Sequence, residues 1–332
     1  MKQPLVSVVV IGRNEGQRLA ACLKSIQDIV NPGGDIELIY VDSNSQDGSP
    51  ELAETLGATV LRVKPQRPSA AIGRNAGWRA ATAPTLLFLD GDTLLHPEFL
   101  QHALQAMEDP AVAVVWGHRR EMYPEQSLYN RVLDLDWIYP PGISDFCGGD
   151  ALMRRSVLEQ VGGFSEDLIA GEEPELCQRI RAQGYIILHI DQPMTRHDLA
   201  MTRFQAYWKR ALRAGHAYSD VAQRMKATAF PLWVRECKRN ALHAAILIMM
   251  LLGAVTLSVI TGDLLPLLGL VLGYTFLILR SAYKARWKSA PPLTLLLYGL
   301  HSHFQQIPIA CGQLSYWYHR FRKQQQGLIE YK

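Results

Sequence analysis

The chain has 332 residues, with 34 Lys and Arg against 31 Asp and Glu, a formal charge of +3. That length supports one large domain or two modest ones, and a charge so mild and evenly spread, with no basic tail, argues against a nucleic-acid partner. The five cysteines (Cys22, Cys147, Cys177, Cys237 and Cys311) are odd in number and form no C-x-x-C pair, which excludes a disulfide framework and a structural zinc and predicts reduced thiols in a cytosolic setting.

The first apolar run, Leu5 to Ile11, is followed at once by Arg13 and Glu15. It is too short and wrongly flanked for a signal peptide and predicts a buried first strand. From there to about residue 120, short apolar runs such as "VSVVVI", "IELIYVD", "ATVLRV" and "TLLFLD" alternate with helical patterns such as "EGQRLAACLKSIQDI" and "SAAIGRNAGWRAAT". Non-alternating runs of this length fit strands covered on both faces, and strand and helix in repetition predict a doubly wound, mostly parallel α/β sheet. Ligands of such sheets sit beyond the carboxyl ends of the strands. Three of those ends are polar, "GRNE" (12–15), "DSNSQDGS" (42–49) and "DGD" (90–92), and are expected to converge.

From 121 to 200 the pattern loosens. "YPPGISDFCGGD" reads as cleft-lining loop, "ALMRRSVLEQV" as a strand or helix, and "GEEPELCQRIRAQGYIILHI" as a helix starting near Pro174 and stopping at Gly184 before a strand. Past residue 230 the composition changes, which divides the chain into an α/β domain (1–230) and a hydrophobic helical region (231–332). Between Arg239 and Arg280 the only charged side chain, His243 aside, is Asp263. Residues 241–260 match the length that crosses a hydrocarbon core of about 30 Å, and 264–279 are slightly short for it. Arg235, Lys238 and Arg239 precede this hairpin (241–279) and Arg280, Lys284, Arg286 and Lys288 follow it, the arrangement that keeps both ends cytoplasmic at an inner membrane. The segment 291–320, broken by His301, His303, Gln305, Gln306 and Pro308, predicts an interfacial helix. A buried helical core is the alternative for 241–318.

Two carboxylates flanking Gly91 repel each other unless a positive group lies between them, and divalent cations take such hard oxygen ligands. Asp42 suits a nucleobase or ribose, though a turn of Asp, Ser and Asn would use it equally well. "IGRNEG" is no dinucleotide fingerprint.

In order and spacing, "VSVVVIGRNEGQRLAACLKSI", "IELIYVDSNSQDGSPELA", "GRNAGWRAA", "LLFLDGDTLLHPEFL" and "GEEPELCQRIRAQGY" resemble family 2 glycosyltransferases of the GT-A fold, over about residues 5–215. The resemblance implies inverting transfer of a sugar from a nucleotide-diphosphate donor, here to a lipid-linked or saccharide acceptor, in bacterial polysaccharide or glycolipid synthesis. It implies that Asp92, with Asp90, ligates Mn²⁺ or Mg²⁺, with His197 as a late ligand. Asn14, Glu15, Asp42, Arg74 and Asn75 stand where the family contacts the nucleotide, and Gly149 and Asp150 where it meets the donor sugar. The family's catalytic base is an Asp; here that position is Glu173, so the base is Glu173 or Glu172. "FQAYWKRALRAG" only loosely resembles the motif of processive members. Arg203, Trp208, Arg210 and Arg213 instead make a basic aromatic helix suited to a membrane surface or an acceptor phosphate, or a plain solvated face. A homo-oligomer is compatible with all of this. The rivals are a sugar nucleotidyltransferase, whose Gly-rich loop "IGRNEGQRL" does not supply, and a membrane scaffold that keeps the pocket without catalysis.

Overall fold

The computed structural model describes residues 3–323; the C-terminal remainder of the expected helical region, 324–332, lies outside the described residues. In chain order the elements are β1 (Val6–Gly12), α1 (Gln17–Gln27), β2 (Ile36–Asp42), α2 (Ser49–Thr55), β3 (Thr59–Arg62), α3 (Ala70–Ala80), β4 (Thr85–Asp90), β5 (Thr93–Leu95), α4 (Phe99–Ala106), β6 (Val112–Glu121), α5 (Leu128–Asp136), β7 (Gly142–Ser144), β8 (Ala151–Arg154), α6 (Arg155–Val161), α7 (Glu172–Ala182), β9 (Ile186–His197), α8 (Phe204–Met225), α9 (Val234–Thr261), α10 (Leu265–Lys284), α11 (Pro292–Phe304) and α12 (Gln306–Phe321). They form two compact units interleaved along the chain. One runs to Met122 and adds Trp137–Leu199 and Arg224–Leu232; the other holds Tyr123–Asp136, Ala200–Gln223 and the chain from Trp233.

The first unit is built on one nine-stranded sheet in the order β3-β2-β1-β4-β8-β6-β9-β5, with β7 also on β9. Strands β1 to β4 pair in parallel. Val6, Val8, Val9 and Val10 of β1 are fully buried, as a strand covered on both faces requires. The other half departs from the mostly parallel expectation: β8 runs antiparallel to β4 and β6, and β5 and β7 antiparallel to β9, with β6 and β9 parallel. Between β6 and β8 the chain passes through α5 and β7, and β8 then enters between β4 and β6, antiparallel to both. Helix α7 starts at Glu172, two residues before the expected start, with Pro174 still inside its first turn, where a missing N–H leaves no intrahelical bond unmade.

In the second unit α9 and α10 run 28 and 20 residues and turn at Gly262, whose φ is +66°. Both are long and apolar enough to cross a membrane, and their faces are open rather than packed: Met249, Leu252, Val259, Ile260 and Leu272 are all exposed. The expected single interfacial helix is two, α11 and α12, with the break at Gln305. Pro308 explains it, since proline fits the first turn of α12 but would break a continuous helix. Helices α8 and α12 approach so closely that a Cβ at Gly215 or Gly312 would collide with the carbonyls of Ile309 or Leu212.

Candidate active site

The polar ends of β1, β2 and β4 lie level. Gly12 pairs with Asp42, and Ile11 with Asp90. A Cβ at Gly12 or Gly91 would stand 3.1 or 3.2 Å from Cγ of Glu15, so these two glycines let the Glu15 side chain lie across β1 and the turn between Asp90 and Asp92. Glu15 pairs with Arg18 at 2.7 Å. Asn14, at φ +55°, donates its backbone N–H to Ser45 Oγ (2.9 Å) and accepts from Gln46 N–H on its side-chain carbonyl (2.8 Å). The buried Asp42 carboxylate accepts from the Tyr40 hydroxyl (3.2 Å) and Ser45 N–H (3.0 Å). These bonds knit the loop after β1 to the loop after β2.

Arg74, on α3, is the hub. Only 2% exposed, its guanidinium pairs with Asp90 (2.9 Å), Glu172 (2.9 Å) and Glu173 (2.8 Å). A sequence separation of 98 residues between Arg74 and Glu172 is thereby closed by one side chain. The loop before β8 passes so near that a Cβ at Gly149 would lie 2.7 Å from Arg74 Nη2, 3.1 Å from Asp90 Oδ2 and 3.2 Å from Glu173 Oε1. Only glycine leaves the Arg74–Asp90–Glu173 set intact.

The far side is built by strand pairing. Thr93 faces His197 in the β5–β9 register, which sets His197 Nε2 3.2 Å from Asp92 Oδ1. Asp90, Asp92 and His197 each offer a ligand atom, all within 4.8 Å of one another. Asp150 accepts from the backbone N–H of Asp90 (3.1 Å) and from the Thr195 hydroxyl (2.8 Å). Arg119, on β6, stands 3.5 Å from Asp90 Oδ2 and 3.6 Å from Asp150 Oδ2, and its guanidinium lies 4.9 Å from the ring centre of Trp137, whose edge meets His197 at 5.1 Å.

Asp90, Asp92, Asp150, Glu172 and Glu173 thus surround two guanidiniums, an arrangement with a surplus of negative charge. Burial pushes the Glu173 carboxyl up to about 7, and neighbouring Glu172 adds to the effect. Burial, then Asp90, also raises Asp150 above the usual carboxylate range although Arg119 opposes it. Asp90 goes the other way: burial alone would raise it, but Arg74 and Arg119 hold it below that range.

Of the residues singled out from sequence, Glu15, Arg74, Asp90, Asp92, Gly149, Asp150, Glu172, Glu173 and His197 fall into this cluster, with Asn14 and Asp42 in the loops beside it. Asn75 faces elsewhere. Its amide donates to Phe164 O (2.8 Å) and Glu166 Oε1 (2.7 Å) and accepts from Trp78 Nε1 and Phe164 N–H (2.9 Å each), so both of its amide hydrogens are in use. Trp208, Arg210 and Arg213 lie on α8 and Arg203 immediately before it, all in the other unit. Sequence reasoning missed Arg119, Trp137 and Thr195. The signal for Arg119 is the charged end "HRRE" of an otherwise apolar strand; nothing local marks Trp137, which only the fold brings to His197.

Residues 7–162 match glycosyl transferase family 2, and residues 85–300, more than half of the chain, match glycosyl transferase family group 2. Among curated relatives, glycosyltransferase AglE of Haloferax volcanii is 25% identical over 193 residues, covering 55% of this chain and 63% of that protein. The beta-monoglucosyldiacylglycerol synthase of Nostoc sp. is 23% identical over 221 residues, 62% of this chain and 47% of that protein. The chain therefore spans about half to just under two thirds of the length of these relatives. Among solved structures, the mannosyltransferase PcManGT from Pyrobaculum calidifontis, in complex with GDP-Man and Mn²⁺, superposes with a TM-score of 0.68 at 20% identity over 96% of this chain and 89% of that one. TarS residues 1–349 from S. aureus give 0.50 at 16% identity over 66% and 70%, and at these identities the likeness concerns the fold. Sequence match and sheet together place the chain in glycosyl transferase family group 2, as a family 2 glycosyltransferase of GT-A fold.

Proposed function

We propose that the protein is a membrane-attached, divalent-metal-dependent glycosyltransferase that moves a sugar from a nucleoside-diphosphate donor to a lipid-linked acceptor, with inversion at the anomeric carbon. The observation that carries this reading is the convergence of Asp90, Asp92 and His197, their ligand atoms within 4.8 Å of one another, beside Glu173 on the shared Arg74. In support, PcManGT was solved with GDP-Man and Mn²⁺, and TarS with UDP-GlcNAc.

Two carboxylates and an imidazole suit Mn²⁺ or Mg²⁺, the imidazole favouring Mn²⁺. Asp92 and His197 are the principal ligands, because both Asp90 oxygens already face guanidiniums. When bound, such a cation offsets the charge of a diphosphate leaving group. The chain's own residues do the rest. Asn14, Glu15 and Asp42 line the nucleoside end. Asp150, steadied by Thr195 and Arg119, meets the sugar hydroxyls. Arg74 and the Cβ-free Gly149 keep the acids in place.

Glu173 is the base. Both glutamates pair with Arg74, but Glu172 is 4% exposed, whereas the Glu173 side chain is 15% exposed and its carboxyl near 7 suits proton uptake at neutral pH. In a single displacement, the acceptor oxygen bonds to the anomeric carbon as the bond to the diphosphate oxygen breaks, and the hydroxyl proton passes to Glu173.

Membrane attachment rests on α9 and α10, and a lipid-linked acceptor on that attachment. One relative is named as a beta-monoglucosyldiacylglycerol synthase. On α8, Phe204 and Trp208 cluster with Phe304 of α11, ring centres 5.7 to 6.2 Å apart, beside the exposed Arg203 and Lys209, a pairing of aromatic and basic groups that fits an anionic bilayer surface at the cytoplasmic face. The test is nucleoside diphosphate release by the detergent-purified protein with Mn²⁺ across a panel of nucleotide sugars, with and without membrane lipid extract. Release from one donor that rises with extract and vanishes in Asp92→Asn is the expected result. Full activity on a soluble oligosaccharide and none on polyprenyl-linked sugars overturns the lipid acceptor, and intact donors throughout overturn catalysis.

A further inference from the structure

In "GRNAG" Asn75 follows Arg74 directly, yet only Arg74 enters the acidic cluster. Asn75 is 1% exposed and spends its whole amide on Trp78 of its own helix and on one turn, residues 163–166. Its Nδ2 donates to Phe164 O (2.8 Å) and Glu166 Oε1 (2.7 Å), and its Oδ1 accepts from Phe164 N–H and Trp78 Nε1–H (2.9 Å each). A buried amide so fully paired is costly to disturb. The turn is shaped to receive it: Gly163 sits at φ +76°, and a Cβ there would lie 2.6 Å from Asn75 Oδ1. From the other side α7 grips the same turn, with Arg179 donating to the carbonyls of Val161 and Gly163 and Ser165 donating its hydroxyl to Glu175 (2.9 Å). The turn is therefore a splint between α3, which carries Arg74, and α7, which carries Glu172 and Glu173.

What the splint presents to the site is Phe164. Its ring is 4% exposed, packs edge-on against Phe88 of β4 at 5.3 Å, and takes the Arg74 guanidinium on its face, 5.7 Å from the ring centre, within the range of a cation–π contact. Arg74 Nε has no hydrogen-bond partner among the described residues, so the acids and this ring, rather than a bond at Nε, set the tilt of the guanidinium. We propose that Asn75 is a positioning residue of the active site: by locking the turn at 163–166 it holds the Phe164 ring against Arg74, and so fixes the guanidinium that joins Asp90, Glu172 and Glu173. Asn75 touches no reacting atom; it acts through Phe164 and Arg74, all within the α/β unit. The inference rests on reading the acidic cluster as the site of glycosyl transfer.

The experiment is nucleoside diphosphate release by the full chain in detergent with Mn²⁺ and membrane lipid extract, at varied concentration of each nucleotide sugar in the panel, beside thermal unfolding of every variant. Wild type is compared with Asn75→Ala, Phe164→Leu and the double Asn75→Ala/Phe164→Leu. Each single change is expected to lower kcat about tenfold, short of the roughly hundredfold that a misplacement of about 1 Å can cost, with donor KM changed by less than about twofold. The double is expected to turn over within about twofold of Phe164→Leu alone, because both changes act through the same ring. A merely structural turn gives a different pattern, a lower Tm at unchanged kcat; that result, or a double that loses the product of the single effects, overturns the inference. If Asn75→Ala does not fold, Trp78→Phe, which keeps a ring and removes one N–H from the Asn75 carbonyl, decides the question in the same way, with about a threefold loss of kcat expected for one neutral hydrogen bond. A wild type that releases no nucleoside diphosphate from any donor overturns the glycosyl-transfer reading and the inference with it, an outcome distinct from an active wild type whose kcat the variants leave unchanged.

Discussion

In the α/β unit a guanidinium at 2% exposure is ringed by carboxylates, whereas in the C-terminal unit Val259 and Ile260 stand 77% and 76% exposed. Each half breaks a different rule of the water-soluble interior. Charge is buried where apolar side chains belong, and apolar side chains are bare where charge belongs. A buried charge cluster persists only if it is paired, and here Arg74 and Arg119 are shared among Asp90, Asp150, Glu172 and Glu173. A bare apolar helix pair persists only if another apolar phase covers it. In the proposed function the first is met by a metal-bound diphosphate and the second by a bilayer.

The contrast can be broken at either end. The largest expected effect is at the hub: Arg74→Met strands Asp90, Glu172 and Glu173 without their shared cation, and loss of about 3–5 kcal/mol, typical for a broken buried ion pair, is expected in denaturant unfolding. Next, Leu251→Arg in the exposed middle of α9 opposes insertion by about 2.5–3.5 kcal/mol and is expected to shift protein from the membrane to the soluble or aggregated fraction, whereas a solvated helix would tolerate it. Gly149→Ala drives a Cβ to 2.7 Å from Arg74 Nη2; about 1–3 kcal/mol of overpacking strain is expected, with turnover lost before the fold, as read by thermal unfolding beside nucleoside diphosphate release.

The smallest effect is graded and sharpens the assignment of the base. With its carboxyl at about 7, Glu173 must be deprotonated to act, so turnover is expected to fall about tenfold for each pH unit below that value and to level off above it. The stability contribution has the opposite slope: the folded state holds this proton more tightly than the unfolded chain, whose carboxyl titrates near 4.5, so stability declines as pH rises from there to about 7. In Glu173→Gln the acid limb is expected to vanish with the activity.

The parallel half of the sheet and the meeting of "GRNE", "DSNSQDGS" and "DGD" could be read from the chain because burial on both faces writes itself as unbroken Val, Ile and Leu runs, and the polar ends follow. The antiparallel half could not, since β8 follows a glycine loop that carries no periodicity. The acids at 90 and 92 were visible as charges out of place, and Arg74, Glu172 and Glu173 through the family resemblance, but not that Arg74 joins Asp90 to both glutamates. Asn75 and Arg119 mark the two limits. Adjacent to Arg74, Asn75 turns to Phe164 and Glu166 because the next side chain on a helix points about 100° away, a rotation that a motif match ignores. Arg119 reaches Asp90 and Asp150 through strand pairing between segments far apart in sequence, which no local pattern encodes. The single helix expected over 291–320 failed on Pro308 alone.

The most direct test of the central claim, that the buried acids hold a divalent cation carrying a nucleoside diphosphate, is electron paramagnetic resonance of Mn²⁺ titrated into the full chain in detergent, with GDP or UDP present. One bound Mn²⁺ per chain, tightened by nucleotide, is expected, with binding lost in Asp92→Asn and weakened in His197→Ala. Mn²⁺ that stays free in the wild type, or that binds Asp92→Asn equally well, would contradict it.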